Sequence, residues 1–465
     1  MAATRTGSSD LAYATAGRLA DLIRRGELTA VELLEMQLDR IGRLNPALNA
    51  IATLDVDGAR RAATAADRAR AAGEALGPLH GVALTLKDSH AVAGVRSTVG
   101  VAAAGDRVPE TDGTVAARLR AAGAIILGKT NLDSWLYDFQ TNSELFGRAN
   151  NPWDLARTPG GSSGGAAAAV AAGLVPAEVG SDLGGSVRVP AAFCGLVGLK
   201  PTEGRIPETG HIDLGRPRSV WIMESIGPLA RSVDDVRLLY TILAGPDGAD
   251  PSVPPVPVRN EGIARLGGLR VALSTAFPGQ RVQAATRAAV RSVGEALERA
   301  GAVVEEAFPA FEWETYVEVR RRLFEMTDDP FGPAAAGRDV KLAEYFTALE
   351  ARSAAIGLWE AFFDEWDVLL SPTVNRTAFE HRPTETPFDV DGVETEYWSV
   401  GRHTQPMNFF GAPAIALPAG AGPDGLPLSI QLSARRWADD RLLAIAAAVE
   451  LLAGGFRPPP PPFGG

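Results

Sequence analysis

Residues 158–202 read TPGGSSGGAAAAVAAGLVPAEVGSDLGGSVRVPAAFCGLVGLKPT, and this stretch contains two serine-centred glycine clusters. The first cluster is GGSSGG at residues 160–165, and the second is GGS at residues 184–186. Residues 166–172, between them, are alanine at every position except one. Because alanine has the highest helix propensity, the sequence predicts a glycine loop, a short helix and a second glycine loop. Glycine lets the backbone approach a substrate closely, and adjacent N–H groups without bulky side chains can point at one oxyanion.

A flexible Gly/Ser linker is the alternative interpretation of the first cluster. The second cluster argues against it, because that cluster continues into VRVPAAFCGLVGLKP at residues 187–201. Such an apolar segment is typical of a packed core rather than of a linker. We therefore interpret both clusters as parts of one site.

The overall composition is that of a globular chain, with 46% hydrophobic and 22% charged residues among 465. A net charge of −11 argues against a nucleic-acid partner. The single cysteine, Cys194, excludes an intramolecular disulfide and fits a reducing compartment, so we expect a cytoplasmic protein in which Cys194 is a small buried hydrophobic residue. Residues 1–17 lack the features of a signal peptide, and no apolar run reaches the roughly 18 residues of a membrane span.

Strand and helix patterns alternate in the first half of the chain. Residues 82–86, VALTL, predict a short strand that ends at Lys87, residues 114–122 predict a helix, and residues 124–127 predict the next strand. This alternation indicates an α/β sheet core. Further helices are predicted at residues 19–44 and 59–75 and through most of residues 311–366, and further strands at residues 269–273, 303–304, 368–370, 414–417 and 428–432.

Two short motifs match the sequence, but the predicted secondary structure around each of them does not fit the motif. Residues 123–130, GAIILGKT, fit the phosphate-binding pattern G-x-x-x-x-G-K-[ST], but the middle of the match is itself a predicted strand instead of a loop. Residues 161–165, GSSGG, fit the G-x-S-x-G elbow, which must follow a strand, whereas NNPWDLARTP precedes it here. None of the five histidines lies in a setting that suggests a Ser-His-Asp triad.

A serine nucleophile needs a base, and a lysine serves if it is kept neutral by burial or by a neighbouring cation. Lys87 ends an apolar strand, where burial is plausible. The alternative is a lysine that reaches solvent at a strand end, which is the common fate of lysine. No cluster of His, Cys and carboxylate residues shows metal-ligand spacing.

Three motifs together carry a family resemblance: GVALTLKD at residues 81–88, PGGSSGG at residues 159–165 and GSDLGGSVR at residues 180–188. In order and interval they resemble the motifs of the amidase signature family, including its aryl-acylamidase and urethanase members. Further family-like segments cover most of the chain: GAIILGKTN (123–131), GLKPTEGR (198–205), SIGPLARSVDD (225–235), DVLLSPT (367–373) and NFFGAPAIALP (408–418).

The resemblance implies an α/β fold, with a mixed, twisted central β-sheet covered by helices on both faces. It implies a single domain over residues 1–465. The expected parts are N-terminal helices (about 10–75), a catalytic core (about 76–243), a Pro/Gly-rich connection (about 244–268), a C-terminal part of the same fold (about 269–456) and a Pro-rich tail (457–465) that is unstructured or extended.

The resemblance also implies roles for individual residues. Ser186 is the expected nucleophile and Lys87 the expected base. Ser162, in a cis peptide after Gly161, is the expected relay between them. The oxyanion hole is expected from the backbone N–H groups of Leu183, Gly184, Gly185 and Ser186. Residues expected to support these groups are Gly161, Ser163, Ser181, Asp182 and Arg188.

The implied reaction is hydrolysis of the C–N bond of an aryl or aliphatic amide, with carbamates or urethanes as further substrates, through an acyl-enzyme and without a metal or organic cofactor. We expect a monomer or homodimer whose partner is a small amide or carbamate, with no nucleic acid and no membrane. Residues 204–221 are expected to form a loop over the site. The resemblance favours aryl amides and urethanes, because the corresponding loop is part of the pocket in relatives that hydrolyse them. Candidate substrate contacts are Trp135, Tyr137, Phe139, Arg205 and His211, and core packing is the alternative for the three aromatic residues.

Two other functions remain open. One is the glutaminase subunit of a tRNA-dependent amidotransferase, which has the same catalytic core. Those subunits usually carry an acidic residue shortly before the position of Asn408, whereas residues 401–407, GRHTQPM, contain none. The other is a binding protein on an inactive amidase fold, which the presence of all three catalytic residues disfavours.

Overall fold

A computed structural model of the chain describes residues 11–212, 222–327 and 341–464. Its centre is an eleven-stranded sheet with the strand order β1-β3-β2-β6-β8-β7-β14-β15-β11-β9-β10. The strands of this sheet are β1 (Ile51–Leu54), β2 (Ala83–Lys87), β3 (Ile125–Thr130), β6 (Ala177–Asp182), β7 (Val197–Lys200), β8 (Ser225–Ala230), β9 (Arg270–Leu273), β10 (Val303–Glu306), β11 (Val368–Pro372), β14 (Ala414–Ala421) and β15 (Pro427–Ser433).

Two short hairpins lie apart from this sheet, β4 (Asn142–Ser143) with β5 (Gly147–Arg148) and β12 (Phe388–Val390) with β13 (Val393–Thr395). The helices that flank the sheet are α1 (Ala16–Arg25), α2 (Ala30–Leu48), α3 (Val56–Ala71), α4 (Thr114–Ala121), α5 (Gly164–Ala171), α6 (Arg188–Cys194), α7 (Val233–Leu243), α8 (Ala284–Arg299), α9 (Trp313–Thr327), α10 (Leu342–Phe362), α11 (Gln405–Phe409) and α12 (Asp439–Ala453).

The central sheet is mixed, as expected. Strand β2 is parallel to both β3 and β6, and β9 is parallel to both β10 and β11. The pairs β6–β8, β7–β8, β7–β14 and β14–β15 are antiparallel. Because the carboxyl ends of parallel neighbours meet at one edge of a sheet, β2 and β6 deliver Lys87 and Asp182 to the same place. The predicted α/β class with a large mixed sheet and flanking helices is confirmed.

The first predicted helix, at residues 19–44, is two helices. Gly26 ends α1 in the left-handed region with φ of 71°, which costs glycine no Cβ strain. Thr29 then caps α2 through a capping box with Glu32, in which each side chain accepts from the backbone N–H of the other residue. The continuous apolar spacing hid this break, because Leu19 and Leu33 lie in the same core on both sides of it.

The alanine run forms α5, and every residue of that helix is buried. Small side chains allow α5 to pack against both β6 and α6, so the two glycine clusters are held at its start and beyond its end. The strand β6, between α5 and the second cluster, was not predicted. Cys194 is buried at the end of α6, as expected, and burial raises the pKa of its thiol.

The Pro-rich tail, expected to be unstructured or extended, packs against the N-terminal part of the chain. Phe463 is buried, and its carbonyl accepts hydrogen bonds from the Tyr13 hydroxyl and from Nη2 of Arg40. Phe456 packs on the Tyr13 ring, with centroids 5.9 Å apart. Proline restricts the unfolded chain and so lowers the entropic cost of fixing such a segment. The tail therefore closes over the N-terminal helices.

Two predicted features lie partly outside the described residues. Of the loop at residues 204–221, residues 213–221 are not described, and of the helical region at residues 311–366, residues 328–340 are not described. Within the described ranges, no helix combines the length and apolar character needed to cross a membrane.

Candidate active site

Lys87 lies at the end of β2 and is fully buried. Its Nζ donates to Oγ of Ser162 at 2.8 Å and to Oγ of Ser181 at 3.2 Å. Desolvation lowers the pKa of Lys87 to about 8, although the carboxylates of Glu224 and Glu178 oppose the shift. The alternative of a lysine that reaches solvent is therefore wrong, and neutral Lys87 is accessible near physiological pH.

Ser162 follows Gly161 through a cis peptide bond and is fully buried. Only glycine fits before it, since a Cβ on Gly161 would lie 1.9 Å from the carbonyl oxygen of Gln140. The next residue joins the two glycine clusters, because the N–H of Ser163 donates to the carbonyl of Ser186 at 3.2 Å. Helix α5 begins directly after Ser163.

Asp182 shapes the loop between β6 and α6. Its carboxylate accepts from the N–H of Gly185 at 2.8 Å and from the N–H of Val187 at 3.2 Å. It also accepts from Nε and Nη2 of Arg188 at 3.0 and 2.8 Å. Burial raises the pKa of this carboxyl, but the Arg188 guanidinium and its hydrogen bonds outweigh burial and hold the pKa well below its usual range. Asp182 thus remains an anion inside the protein.

The loop geometry corrects one expected donor of the oxyanion hole. The N–H of Gly185 is occupied by Asp182, so it does not point at a substrate. Within the described part of the chain, the N–H groups of Leu183, Gly184 and Ser186 have no acceptor. Three neighbouring donors are therefore available beside the Ser186 side chain.

Asn408, on α11, completes the network around the loop. Its Nδ2 donates to the carbonyl and to Oδ1 of Asp182 at 2.7 and 3.0 Å, and its Oδ1 accepts from Nη2 of Arg188 at 2.7 Å. Nη1 of Arg188 donates to Oε1 of Gln431 at 2.8 Å. The segment at residues 408–418 is family-like in sequence, but nothing in that pattern gave Asn408 a structural role.

Ser162 and Ser186 open into one cavity of about 320 Å³. Its apolar lining includes the three predicted aromatic residues, and Tyr137 and Phe139 both make edge contacts with the Trp398 ring. The apolar lining residues are Trp135, Leu136, Tyr137, Phe139, Leu183, Ile212, Val317, Phe324 and Trp398. The polar and charged lining residues, apart from the serines, are Glu224, Arg320, Arg321, Glu396, Arg402 and Gln405.

Two predicted substrate contacts lie outside this cavity. Arg205 is buried elsewhere, where it donates to the Tyr240 hydroxyl at 2.6 Å and to the carbonyls of residues 256 and 257. Its donors are thus used within the fold, and the expectation of a substrate contact is wrong for Arg205. His211 lies behind the lining, with its ring 5.0 Å from that of His90 and its Nδ1 3.7 Å from Oε1 of Glu224.

The charged lining residues were missed because no local pattern marks them. Arg320 and Arg321 belong to a polar stretch of α9, VRRRLFE, that is typical of a solvated helix face. Arg402 and Gln405 lie within residues 401–407, where the only sequence signal was the lack of an acidic residue. Among the described residues, no group of three or more His, Cys, Asp or Glu residues could hold a metal ion.

The sequence matches the Amidase family over residues 32–319 and 332–443. It is 35% identical to a glutamyl-tRNA(Gln) amidotransferase subunit of Salinispora tropica, over 97% of this chain and 99% of the relative. It is 36% identical to the indoleacetamide hydrolase of Bradyrhizobium diazoefficiens, over 94% of this chain and 86% of the relative.

The structure of a bacterial aryl acylamidase of the amidase signature family superimposes with a TM-score of 0.84 and 27% identity, over 95% of this chain and 96% of that one. The chain therefore belongs to the amidase signature family, whose motifs it shares. It is an enzyme of the class of hydrolases that act on amides.

Proposed function

We propose that this enzyme hydrolyses the C–N bond of small aryl or aliphatic amides, with carbamates as further substrates, through an acyl-enzyme on Ser186. The observation that carries the proposal is the buried hydrogen bond of 2.8 Å between Lys87 and Ser162, beside a cavity that Ser186 also lines. Acyl transfer needs a base, a nucleophile and donors for the oxyanion. Lys87 with its lowered pKa, the buried Ser162, and Ser186 beside N–H groups without an acceptor would supply them.

In the proposed reaction, neutral Lys87 takes the hydroxyl proton of Ser162 as Ser162 takes that of Ser186. Oγ of Ser186 then bonds to the carbonyl carbon, and the oxyanion is held by the N–H groups of Leu183, Gly184 and Ser186. The relay returns its proton to the leaving nitrogen as the C–N bond breaks. Water then attacks the acyl-enzyme by the same relay, which releases the acid and restores Ser186.

The apolar lining supports aryl substrates within this class. Trp135, Tyr137, Phe139 and Trp398 line the cavity, and the rings of Tyr137 and Phe139 contact that of Trp398. Aromatic walls of this kind bind flat apolar groups by area and by edge contacts. The names of two similar proteins, an indoleacetamide hydrolase and an aryl acylamidase, refer to aromatic amides.

The second candidate function is glutamine hydrolysis for a tRNA-dependent amidotransferase. It is favoured by the similarity to glutamyl-tRNA(Gln) amidotransferase subunits, which extends over nearly the whole chain in several organisms. The charged lining residues would suit a zwitterionic substrate. Against it, residues 401–407 offer no carboxylate, and Arg402 and Gln405 line the cavity there.

A hydrolysis screen separates the two functions. The purified chain would be assayed with anilides, aliphatic amides, carbamates and L-glutamine, alone and with added amidotransferase partner proteins, and with Ser186→Ala as the blank. Anilide hydrolysis by the chain alone supports the proposal. Glutamine hydrolysis that appears or rises only with the partner proteins would replace it by the second function.

A further inference from the structure

Helix α9 turns one face toward the cavity. Val317, Arg320 and Phe324 line it, and the spacing of three and four residues places them on one side of the helix. The neighbouring arginine, Arg322, is on the exposed side, where its Nε forms an ion pair with Glu318 at 2.6 Å. Of the three consecutive arginines of this helix, Arg320 and Arg321 line the cavity, and Arg322 does not.

Among the described residues, no anion pairs with Arg320. Its Nε is buried and has no acceptor, and no hydrogen bond or ion pair to the guanidinium exists within the residues that the structure describes. Desolvation lowers its pKa, with Tyr316 opposing the shift and Arg402 adding to it, and no carboxylate of the described part of the chain contributes to the shift. The other cavity cations differ, since Arg402 pairs with Glu396 at 3.3 Å and Arg321 pairs with Glu318 at 2.8 Å.

The guanidinium lies beside the loop that carries Ser186. A Cβ added to Gly184 would be 3.4 Å from Nη2 of Arg320, and 3.7 Å from Cγ and 4.0 Å from Nε2 of Gln405. Oε1 of Gln405 is itself buried without a donor. Gly184 and Ser186 are two residues apart, at most about 7.6 Å between Cα atoms. One small molecule can therefore reach both the guanidinium and the serine.

We propose that Arg320, with Gln405 beside it, forms a subsite for a carboxylate carried by the substrate close to its scissile amide. A carboxylate matches the planar fork of a guanidinium and can accept two hydrogen bonds from it. It would also supply an anion to a guanidinium whose Nε is buried without an acceptor, which is costly to leave unpaired. The substrate class is then an amide with an aryl or alkyl part against the aromatic wall and a carboxylate at Arg320. This inference rests on the proposed amide hydrolysis.

The test compares succinanilate, which has a free carboxylate, with butyranilide, its neutral counterpart. The variants are Arg320→Met, Arg320→Lys and, as a matched control on the same helix, Arg322→Met. We expect Arg320→Met to lower kcat/KM for succinanilate about 10- to 100-fold, the usual effect of losing charge-assisted hydrogen bonds. Butyranilide should change less than about threefold, Arg320→Lys should lie between, and Arg322→Met should leave the ratio of the two substrates unchanged.

A binding measurement tests the subsite without relying on hydrolysis. Titration of succinanilate into the Ser186→Ala protein should give a Kd that Arg320→Met weakens by a similar factor. Binding of this kind without hydrolysis by the wild type would contradict the proposed function and support the subsite. Equal loss on both anilides, or an unchanged ratio in Arg320→Met, would overturn the subsite whether or not the enzyme hydrolyses anilides.

Discussion

Lys87 lies in the field of four buried carboxylates, those of Glu224, Glu178, Asp182 and Asp133, yet burial still lowers its pKa to about 8. If neutral Lys87 is the base, kcat/KM rises with pH through about 8 and levels off above it, because deprotonation creates the active form. Lys87→Ala should remove this rise, the acid limb of the pH profile, and most amide hydrolysis. Lys87→Arg should be as inactive as Lys87→Ala, since a guanidinium stays protonated and cannot act as the base.

Two controls test the assignment of that limb. Burial raises the pKa of Glu178 to about 8 as well, so Glu178→Gln removes a second group that titrates in this range and a charge that, when ionised, raises the pKa of Lys87. If Lys87 is the base, the limb should remain in this variant and should stay in place or move to lower pH. Lys341→Ala removes an exposed lysine and should leave the profile in place. The measurement is kcat/KM against pH on one anilide. An active arginine variant, or a limb that Glu178→Gln moves to higher pH, would contradict the lysine base.

Substitutions of three serines of the site, Ser186, Ser162 and Ser163, should lower activity by different amounts. Ser186→Ala should abolish hydrolysis and labelling by a fluorophosphonate. Ser162→Ala should reduce kcat by about 10²- to 10⁴-fold, the usual contribution of proton transfer. Ser163→Ala should cost less than about tenfold, because Ser163 holds the Ser186 carbonyl through its backbone N–H. If Ser162→Ala were fully active and Ser163→Ala inactive, Ser163 and not Ser162 would be the proton relay.

At the level of single elements, the loop from β6 to α6 depends on one buried ion pair. Asp182 and Arg188 are both fully buried, and Asp182 also accepts the N–H groups of Gly185 and Val187. Asp182→Asn leaves the Arg188 charge without its anion, so we expect the free energy of unfolding to fall by about 3–5 kcal/mol. The oxyanion donors should lose their orientation as well, so fluorophosphonate labelling of Ser186 should slow.

Asp39→Asn is the matched control for this change. Asp39 and Arg43 also form an ion pair at 3.0 Å, but their side chains are 69% and 60% exposed. Exposed pairs contribute about 0–1 kcal/mol, so denaturant unfolding should barely distinguish this variant from the wild type. Similar unfolding of Asp182→Asn and Asp39→Asn would show that the buried pair does not hold the loop.

The same loop shows what the sequence could and could not predict. The roles of Lys87, Ser162 and Ser186 were predicted from the resemblance of three compact motifs to those of the amidase signature family, and the apolar strand before Lys87 made burial one of two alternatives. The hydrogen bond from the Gly185 N–H to the Asp182 carboxylate was not predictable, since it depends on the backbone conformation of the loop. The contacts of Asn408 and Arg320 join segments that are distant in the chain, and no local pattern reports them.

At the level of the whole molecule, buried arginines connect the chain ends to the sheet. Arg40 donates to the Ala172 carbonyl at the end of α5 and to the carbonyl of Phe463. Arg231 donates to the carbonyls of residues 14, 170 and 175. The tail therefore packs where α2 meets the end of α5, and Ser162 lies at the opposite end of α5.

Deletion of residues 457–465 should therefore lower stability and leave catalysis intact. The deletion exposes Tyr13 and removes Phe463, and burial of one phenylalanine contributes about 1.5–3 kcal/mol. It also leaves Arg40 without one of its acceptors. We expect a lower midpoint in denaturant unfolding and an unchanged KM for an anilide. Phe463→Ala should reproduce most of the loss, and Pro458→Ala, at an exposed position of the tail, should not. A deletion variant as stable as the full chain would show that the packed tail adds no stability, and a changed KM would show that the tail acts on the cavity.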